Sequence, residues 1–151
     1  MKFMVLNGPN LNLIGKREIS VYGNKDYLEY MRILEDYAKV NNIDLSIFQS
    51  NHEGKLVDLI HTAYFEKYDG IIINPAAYTH TSIAIRDAIA AIKPIPVIEV
   101  HFSDIYTREK FREISYCKDV CIRQICGKSI EGYIEAIDIL KEEVNCGRKS
   151  E

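Results

Sequence analysis

Three stretches of this 151-residue chain concentrate side chains able to move protons or hold anions. The first reads Asn7-Gly8-Pro9-Asn10-Leu11-Asn12-Leu13 and continues to Arg17 and Tyr22. The second reads Asn74-Pro75-Ala76-Ala77-Tyr78-Thr79-His80-Thr81-Ser82. The third reads Glu99-Val100-His101-Phe102-Ser103-Asp104, with Arg108 and Arg112 after it. Histidine changes charge in the range where proton transfer is needed, and a guanidinium grips a carboxylate through two parallel hydrogen bonds. Together they suit proton transfer on an anionic ligand. Singly they decide little: Tyr22 fits packing as well as catalysis, His101 fits a satisfied buried histidine as well as an acid, and any one arginine fits a solvated surface.

Metal and cofactor signatures are missing from the sequence. His52-Glu53 is not followed by a second histidine at zinc spacing. No G-x-G-x-x-G follows the first strand, and Gly127-Lys128-Ser129 lacks a phosphate-loop glycine, since Ile122 stands five residues earlier. Ser20, Ser82 and Ser103 have no nucleophile elbow around them. A phospho-accepting regulator needs an aspartate at the end of the third strand, where this chain has Asn74. The expectation is therefore no metal and no cofactor.

The elements that must bring the three stretches together alternate in type. Residues 2–7 form a nearly continuous apolar run, 43–48 alternate apolar and polar, 70–75 are rich in isoleucine, 97–100 are apolar, and 120–126 read as a fifth strand. Helical spacing runs through 25–40, 53–68, 81–92 and 130–144, with a charged helical turn at 108–113. This pattern predicts a single α/β domain over 1–144, flavodoxin-like, with a five-stranded parallel sheet in the order 2-1-3-4-5 and helices on both faces. Residues 8–24 read as a lid loop and 145–151 as a flexible tail. Ligands of such sheets bind beyond the carboxyl ends of the strands, and that is where the three stretches fall.

Composition narrows the classes further. With 47% apolar and 27% charged residues the chain is neither disordered nor low-complexity, and 151 residues suit one domain. A formal net charge of −3 speaks against binding nucleic acid through a broad basic field. No apolar run is long enough to span a membrane. The N-terminal residues meet Asn, Gly and Pro too early for a secretory signal, so Cys117, Cys121, Cys126 and Cys146 are expected as reduced thiols in a cytoplasmic protein.

Taken together, the stretches resemble the type II 3-dehydroquinate dehydratases (type II dehydroquinases). The matching blocks are residues 6–13, Gly15-x-Arg17-Glu18-x-x-x-Tyr22-Gly23, Asn74-Pro75-x-Ala77-Tyr78-Thr79-His80-Thr81-Ser82 with Arg86-Asp87-Ala88, Glu99-Val100-His101-x-Ser103, Arg108-Glu109-x-Phe111-Arg112 and Gly132-Tyr133. The resemblance implies a lyase that converts 3-dehydroquinate to 3-dehydroshikimate on the route to chorismate and aromatic amino acids, in a dodecamer built from trimers. It implies Tyr22 as general base, Arg17 holding it as tyrosinate, Asn10 steadying the enolate through a water, His101 protonating the departing hydroxyl, and Glu99 orienting His101. Asn74, His80, Ser103, Arg112 and the backbone at Phe102 would hold the substrate, and Asp87 would reach a neighbouring subunit's site.

The residue types suit that chemistry. A tyrosine of pKa ~10 is ionised to about one part in a thousand at pH 7, and lowering it by ~3 units takes about 4 kcal/mol. One guanidinium at ~4 Å in an effective dielectric of ~20 interacts by about that amount before phenolate desolvation opposes it. A second cation helps, with Arg108 the candidate. No Schiff-base lysine is required. Three positions depart from the family: Ile19 replaces a common proline in the lid, Asp104 replaces asparagine beside the acid and adds a negative charge near His101, and Ser129 replaces a glycine before the last helix. The competing reading is a flavodoxin-like binding module that keeps the pocket without the chemistry, carried by the scaffold alone. Because Arg17 is assigned to the transition state, Arg17→Ala is expected to lower kcat with little change in KM; steady-state kinetics showing a pure KM effect would remove that role.

Overall fold

The computed structural model describes residues 1–16 and 19–148, with the backbone alone at Ile19, Tyr22 and Arg148. Five strands, β1 (Lys2–Asn7), β2 (Asp44–Gln49), β3 (Gly70–Asn74), β4 (Val97–His101) and β5 (Arg123–Cys126), form one sheet in the order β2-β1-β3-β4-β5. All neighbours are parallel. β1, β3 and β4 are buried almost throughout, as their continuous apolar runs require of interior strands.

Side chains alternate across this sheet and build two cores. Phe3 and Val5 face α2 (Tyr27–Val40) and α5 (Ser129–Arg148), packing with Leu34, Ala38, Ala136, Ile137 and Leu140. Met4 and Leu6 face α3 (Glu53–Phe65) and α4 (Ile83–Ala91), packing with Leu56, Ile60, Ala63, Ile85 and Ile89. At about 25 cal/mol per Å² of apolar surface buried, these two layers supply the main drive to fold.

Local signals set the helix starts. Asp26 caps α2 by accepting from Glu29 N at 2.8 Å, while Glu29 Oε2 accepts from Asp26 N at 2.7 Å. Ser82 Oγ accepts from Ile85 N at 2.9 Å and starts α4 two residues later than periodicity suggests. The fifth strand is shorter than expected, because residues 118–120 form a 3-10 turn before it.

Two expectations about irregular chain are refined. Within residues 8–24 lie a 3-10 turn, Leu11–Leu13, and a short helix, α1 (Ile19–Tyr22). Leu11 and Ile14 are buried in the α2–α5 core, so the first half of the segment is anchored rather than loose. The last helix, expected to end near 144, continues through Arg148. Residues 145–148 are therefore helical, and 149–151 lie outside the described residues.

The register of the central strands places Asn7 directly beside Asn74 at the carboxyl end of the sheet. Beyond them Gly8 runs so close to β3 that a Cβ would fall 2.4 Å from the Pro75 carbonyl oxygen, so only glycine fits. Tyr133 of α5 ties the two asparagines together: its hydroxyl donates to Asn7 Oδ1 at 2.8 Å and accepts from Asn74 Nδ2 at 3.0 Å. All three residues are buried. Burial pushes the Tyr133 phenol far above its ordinary pKa, while the Asn74 hydrogen bond opposes the rise, so it remains a neutral donor. Tyr133→Phe leaves Asn7 and Asn74 each short of a buried partner, a loss of about 1–3 kcal/mol. Thermal unfolding is expected to show a melting temperature several degrees lower; an unchanged value would contradict this role for the network.

Candidate active site

A cavity of about 130 Å³ opens at the carboxyl ends of β1, β3 and β4. Its walls come from the three stretches singled out by residue type: Pro9, Asn10 and Leu11 after β1, Asn74, Ala76, Ala77 and His80 after β3, and His101, Phe102, Ser103, Ile105, Arg108 and Arg112 after β4. The crossover between β1 and β3 forces the two following loops apart, which is why a crevice lies there.

His101 and Glu99 are two residues apart on β4 and share the face of the sheet that packs against α3 and α4. Glu99 is fully buried and His101 is 4% exposed. His101 Nε2 lies 2.6 Å from Glu99 Oε1. A carboxylate only accepts, so Nε2 carries the proton and Nδ1 is the nitrogen left for the cavity. Burial opposes ionisation of Glu99, but the hydrogen bond and charge of His101, with hydrogen bonds from Gln124 and Ser115, outweigh it and hold the carboxyl below its ordinary pKa. Ser115 Oγ lies 2.8 Å from both carboxylate oxygens, and Gln124 Nε2 donates to Oε1 at 3.0 Å.

His80 has a defined tautomer. Its Nδ1 is 2.7 Å from the Ile114 carbonyl, which fixes the proton on that nitrogen. Desolvation lowers its pKa, with the nearby His101 and Arg112 acting in the same direction against the Ile114 hydrogen bond. The ring is neutral near pH 7 and offers Nε2 as an acceptor, suited to a ligand hydroxyl.

The loop after β4 is held by backbone bonds from the start of α5. Gly127 N donates to the carbonyls of His101 and Ser103, and Ser129 N donates to that of Phe102. Arg108 Nη1 lies 3.5 Å from Ser103 Oγ. Arg112 Nε donates to the exposed Glu109 carboxylate, whose pKa that bond lowers. Two guanidinium groups, Arg108 and Arg112, line the cavity, and the Glu99 carboxylate is buried behind His101, which favours an anionic ligand.

Of the residues singled out by sequence, Asn10, Asn74, His80, His101, Phe102, Ser103, Arg108 and Arg112 come together as walls, and Glu99 stands behind His101. Asn10 adopts the left-handed conformation (φ 68°), and its backbone N donates to Asn51 Oδ1 at 3.0 Å. Asn74 spends part of its amide on structure, since Oδ1 accepts from Ala76 N at 3.1 Å and Nδ2 reaches Tyr133. Asp87 is not a wall of this cavity; it is 67% exposed on α4, with its Oδ1 3.4 Å from Arg86 Nη1. Tyr22 ends α1 and is described by its backbone alone, and Arg17 lies outside the described residues.

Two departures noted in the sequence acquire physical meaning. Asp104 Oδ1 accepts from Tyr106 N at 3.0 Å and caps the 3-10 turn Ile105–Thr107. Ser129 sits at φ 51°, a left-handed conformation that is cheapest for glycine. Ser115 and Gln124 were not legible as site residues. Neither Ser115, in the loop after β4, nor Gln124, beside Arg123 on β5, carries any local sign of a buried carboxylate opposite it. Among the described residues no cluster of three or more His, Cys, Asp or Glu could hold a metal, and the four cysteines are free thiols. No described helix is long and apolar enough to cross a membrane.

Comparison with known proteins agrees with this geometry. The family model for dehydroquinase class II matches residues 1–141. The 3-dehydroquinate dehydratase of Clostridium perfringens is 51% identical over 144 residues, covering 95% of this chain and 99% of that one. The crystal structure of type II dehydroquinase from Butyrivibrio crossotus superposes with a TM-score of 0.92 at 51% identity, over 93% of this chain and 97% of that one. The type II dehydroquinase of Propionibacterium acnes gives 0.87 at 34% identity, over 95% and 96%. With its flavodoxin-like sheet order and a match along nearly its whole length, the chain belongs to the class II dehydroquinase family, the type II 3-dehydroquinate dehydratases.

Proposed function

We propose that the chain removes water from 3-dehydroquinate to give 3-dehydroshikimate through an enolate, within the shikimate route to chorismate and aromatic amino acids. Tyr22, ionised beside Arg17 with Arg108 as a second cation, takes the proton next to the ketone. Asn10 steadies the enolate through an ordered water. His101 then protonates the departing hydroxyl, and Glu99 keeps its ring in register. Asn74, His80, Ser103 and the backbone at Phe102 hold the substrate's hydroxyls while Arg112 takes its carboxylate.

The single observation that carries this reading is the buried Glu99–His101 pair at the end of β4. A carboxylate behind an imidazole fixes the ring and its tautomer, so that the other nitrogen faces the leaving hydroxyl. The neutral acceptor at His80 and the guanidinium of Arg112 supply complementary partners for a polyhydroxylated acid. The exposed position of Asp87 on α4 supports a contact with a neighbouring subunit's site, in trimers that build a dodecamer. The enzyme works in the cytoplasm and needs no metal, cofactor or Schiff-base lysine.

Purified protein given 3-dehydroquinate should develop the ultraviolet absorbance of a conjugated enone; no absorbance change at substrate levels that saturate binding would refute the activity. Tyr22→Phe is expected to lose turnover by about 10²–10⁴-fold, the usual range for a general base, while still binding substrate. Wild-type turnover in that variant would rule out Tyr22 as the base.

A further inference from the structure

The carboxylate that orients His101 is itself held from the neighbouring strand. Glu99 and Gln124 are paired across β4 and β5, so their side chains leave the sheet on one face. Gln124 Nε2 donates to Glu99 Oε1 at 3.0 Å, the oxygen that also takes His101 Nε2 at 2.6 Å. At the other end of the amide, the Tyr106 hydroxyl donates to Gln124 Oε1 at 2.6 Å. A carboxylate that only accepts and a hydroxyl that donates agree on one orientation of the amide, with its N–H toward Glu99.

We propose that Gln124 is a positioning residue for the dehydration, fixing the Glu99 carboxylate against His101 and limiting its pull on the imidazole proton, with Tyr106 locking the amide. The proposal rests on the reading of His101 as the general acid. Two donors on one oxygen compete for its electron density. Without Gln124, Oε1 concentrates its charge on His101, which holds its proton more tightly and gives it up to the leaving hydroxyl less readily. The carboxylate also loses one of the bonds that stop it from turning.

The other charged and titratable groups around the pair come from several elements. His80 after β3 and Arg112 after β4 lie on the His101 side. Cys117 and Cys121 around the turn before β5, and Cys126 on β5, feel the Glu99 charge. Burial pushes the Cys117 thiol up to about 12 and the Cys126 thiol up to about 11, so both stay neutral around pH 7. Arg86 faces Cys117, and Asp104 and Lys118 face Cys126.

Gln124→Met keeps the volume and removes the donor, and Tyr106→Phe removes the outer lock from a ring that is 41% exposed. For Gln124→Met the expected result is a kcat lower by roughly three- to tenfold, with KM for 3-dehydroquinate within about twofold. The alkaline limb of kcat against pH, and the His101 imidazole titration followed by NMR in ligand-free protein, should both move up by about 0.5–1 unit. Tyr106→Phe should move both in the same direction by less, and the double variant should match Gln124→Met, since Tyr106 acts through Gln124. An unmoved His101 titration in Gln124→Met, or a change in KM alone, overturns the proposal. If Gln124→Met does not fold, an unmoved titration in Tyr106→Phe does so. The NMR titration needs no turnover, so a shifted His101 in a protein inactive on 3-dehydroquinate would refute the proposed activity and leave standing only the hold of Gln124 on the Glu99–His101 pair.

Discussion

A carboxylate without water is the constraint around which this molecule is arranged. Glu99 is inside a parallel sheet covered on both faces, where an unpaired charge costs several kcal/mol. It is retained because four hydrogen-bonding contacts from three residues converge on its two oxygens: His101 along its own strand, Gln124 across the strand pair, and Ser115 from the loop above. Each partner offsets part of the cost of burying the charge. The same bonds that make burial tolerable keep the group anionic, and the anion fixes which nitrogen of His101 is protonated. Truncating one member of such a set typically costs about 3–5 kcal/mol, because the remaining charge is left stranded.

The rest of the site is built on the same economy of strand ends. Asn7 and Asn74 finish adjacent strands in register, and Tyr133 reaches from α5 to bind both. Asn7 also donates to the Tyr27 hydroxyl at 3.2 Å, so α2, β1, β3 and α5 meet in one polar knot. Burial raises the Tyr27 phenol, with the Asn7 bond opposing it, so this second phenol is also neutral. The knot holds the floor of the cavity rigid. The first half of the segment over it is pinned by Leu11 and Ile14 in the core. A fixed floor beside an anchored first loop suits chemistry that needs atoms held to within a fraction of an ångström.

Two of the positions marked in the sequence, Ser129 and Asp104, fall where the backbone tells their cost. Ser129 occupies a left-handed position at the entry to α5, close to the amide that holds the Phe102 carbonyl. A serine there costs about 1 kcal/mol relative to an unstrained site. Asp104 uses its charge on the amide of a 3-10 turn, a role an asparagine side chain also fills. Both substitutions leave the loop that carries Phe102 and Ser103 in place.

Much was legible in the chain itself. Interior strands announce themselves by unbroken apolar runs, amphipathic helices by their 3.6-residue period, and right-handed crossovers leave few ways to connect them. The site loops followed, because ligands of such sheets bind beyond the carboxyl ends of the strands. Other features were decided only by folding. Gln124, Ser115 and Tyr106 became partners of Glu99 through strand register and loop path, and nothing in their own neighbourhoods marks them. Which nitrogen of His80 carries the proton depends on the Ile114 carbonyl, 34 residues away. Asn74 proved to be structural as well as a cavity wall because Tyr133 reaches it from α5, 59 residues later. Local order follows from short-range periodicity and capping, which neighbours in sequence encode; the pairing of buried polar groups follows from which distant groups share a dry space, and only the tertiary fold decides that.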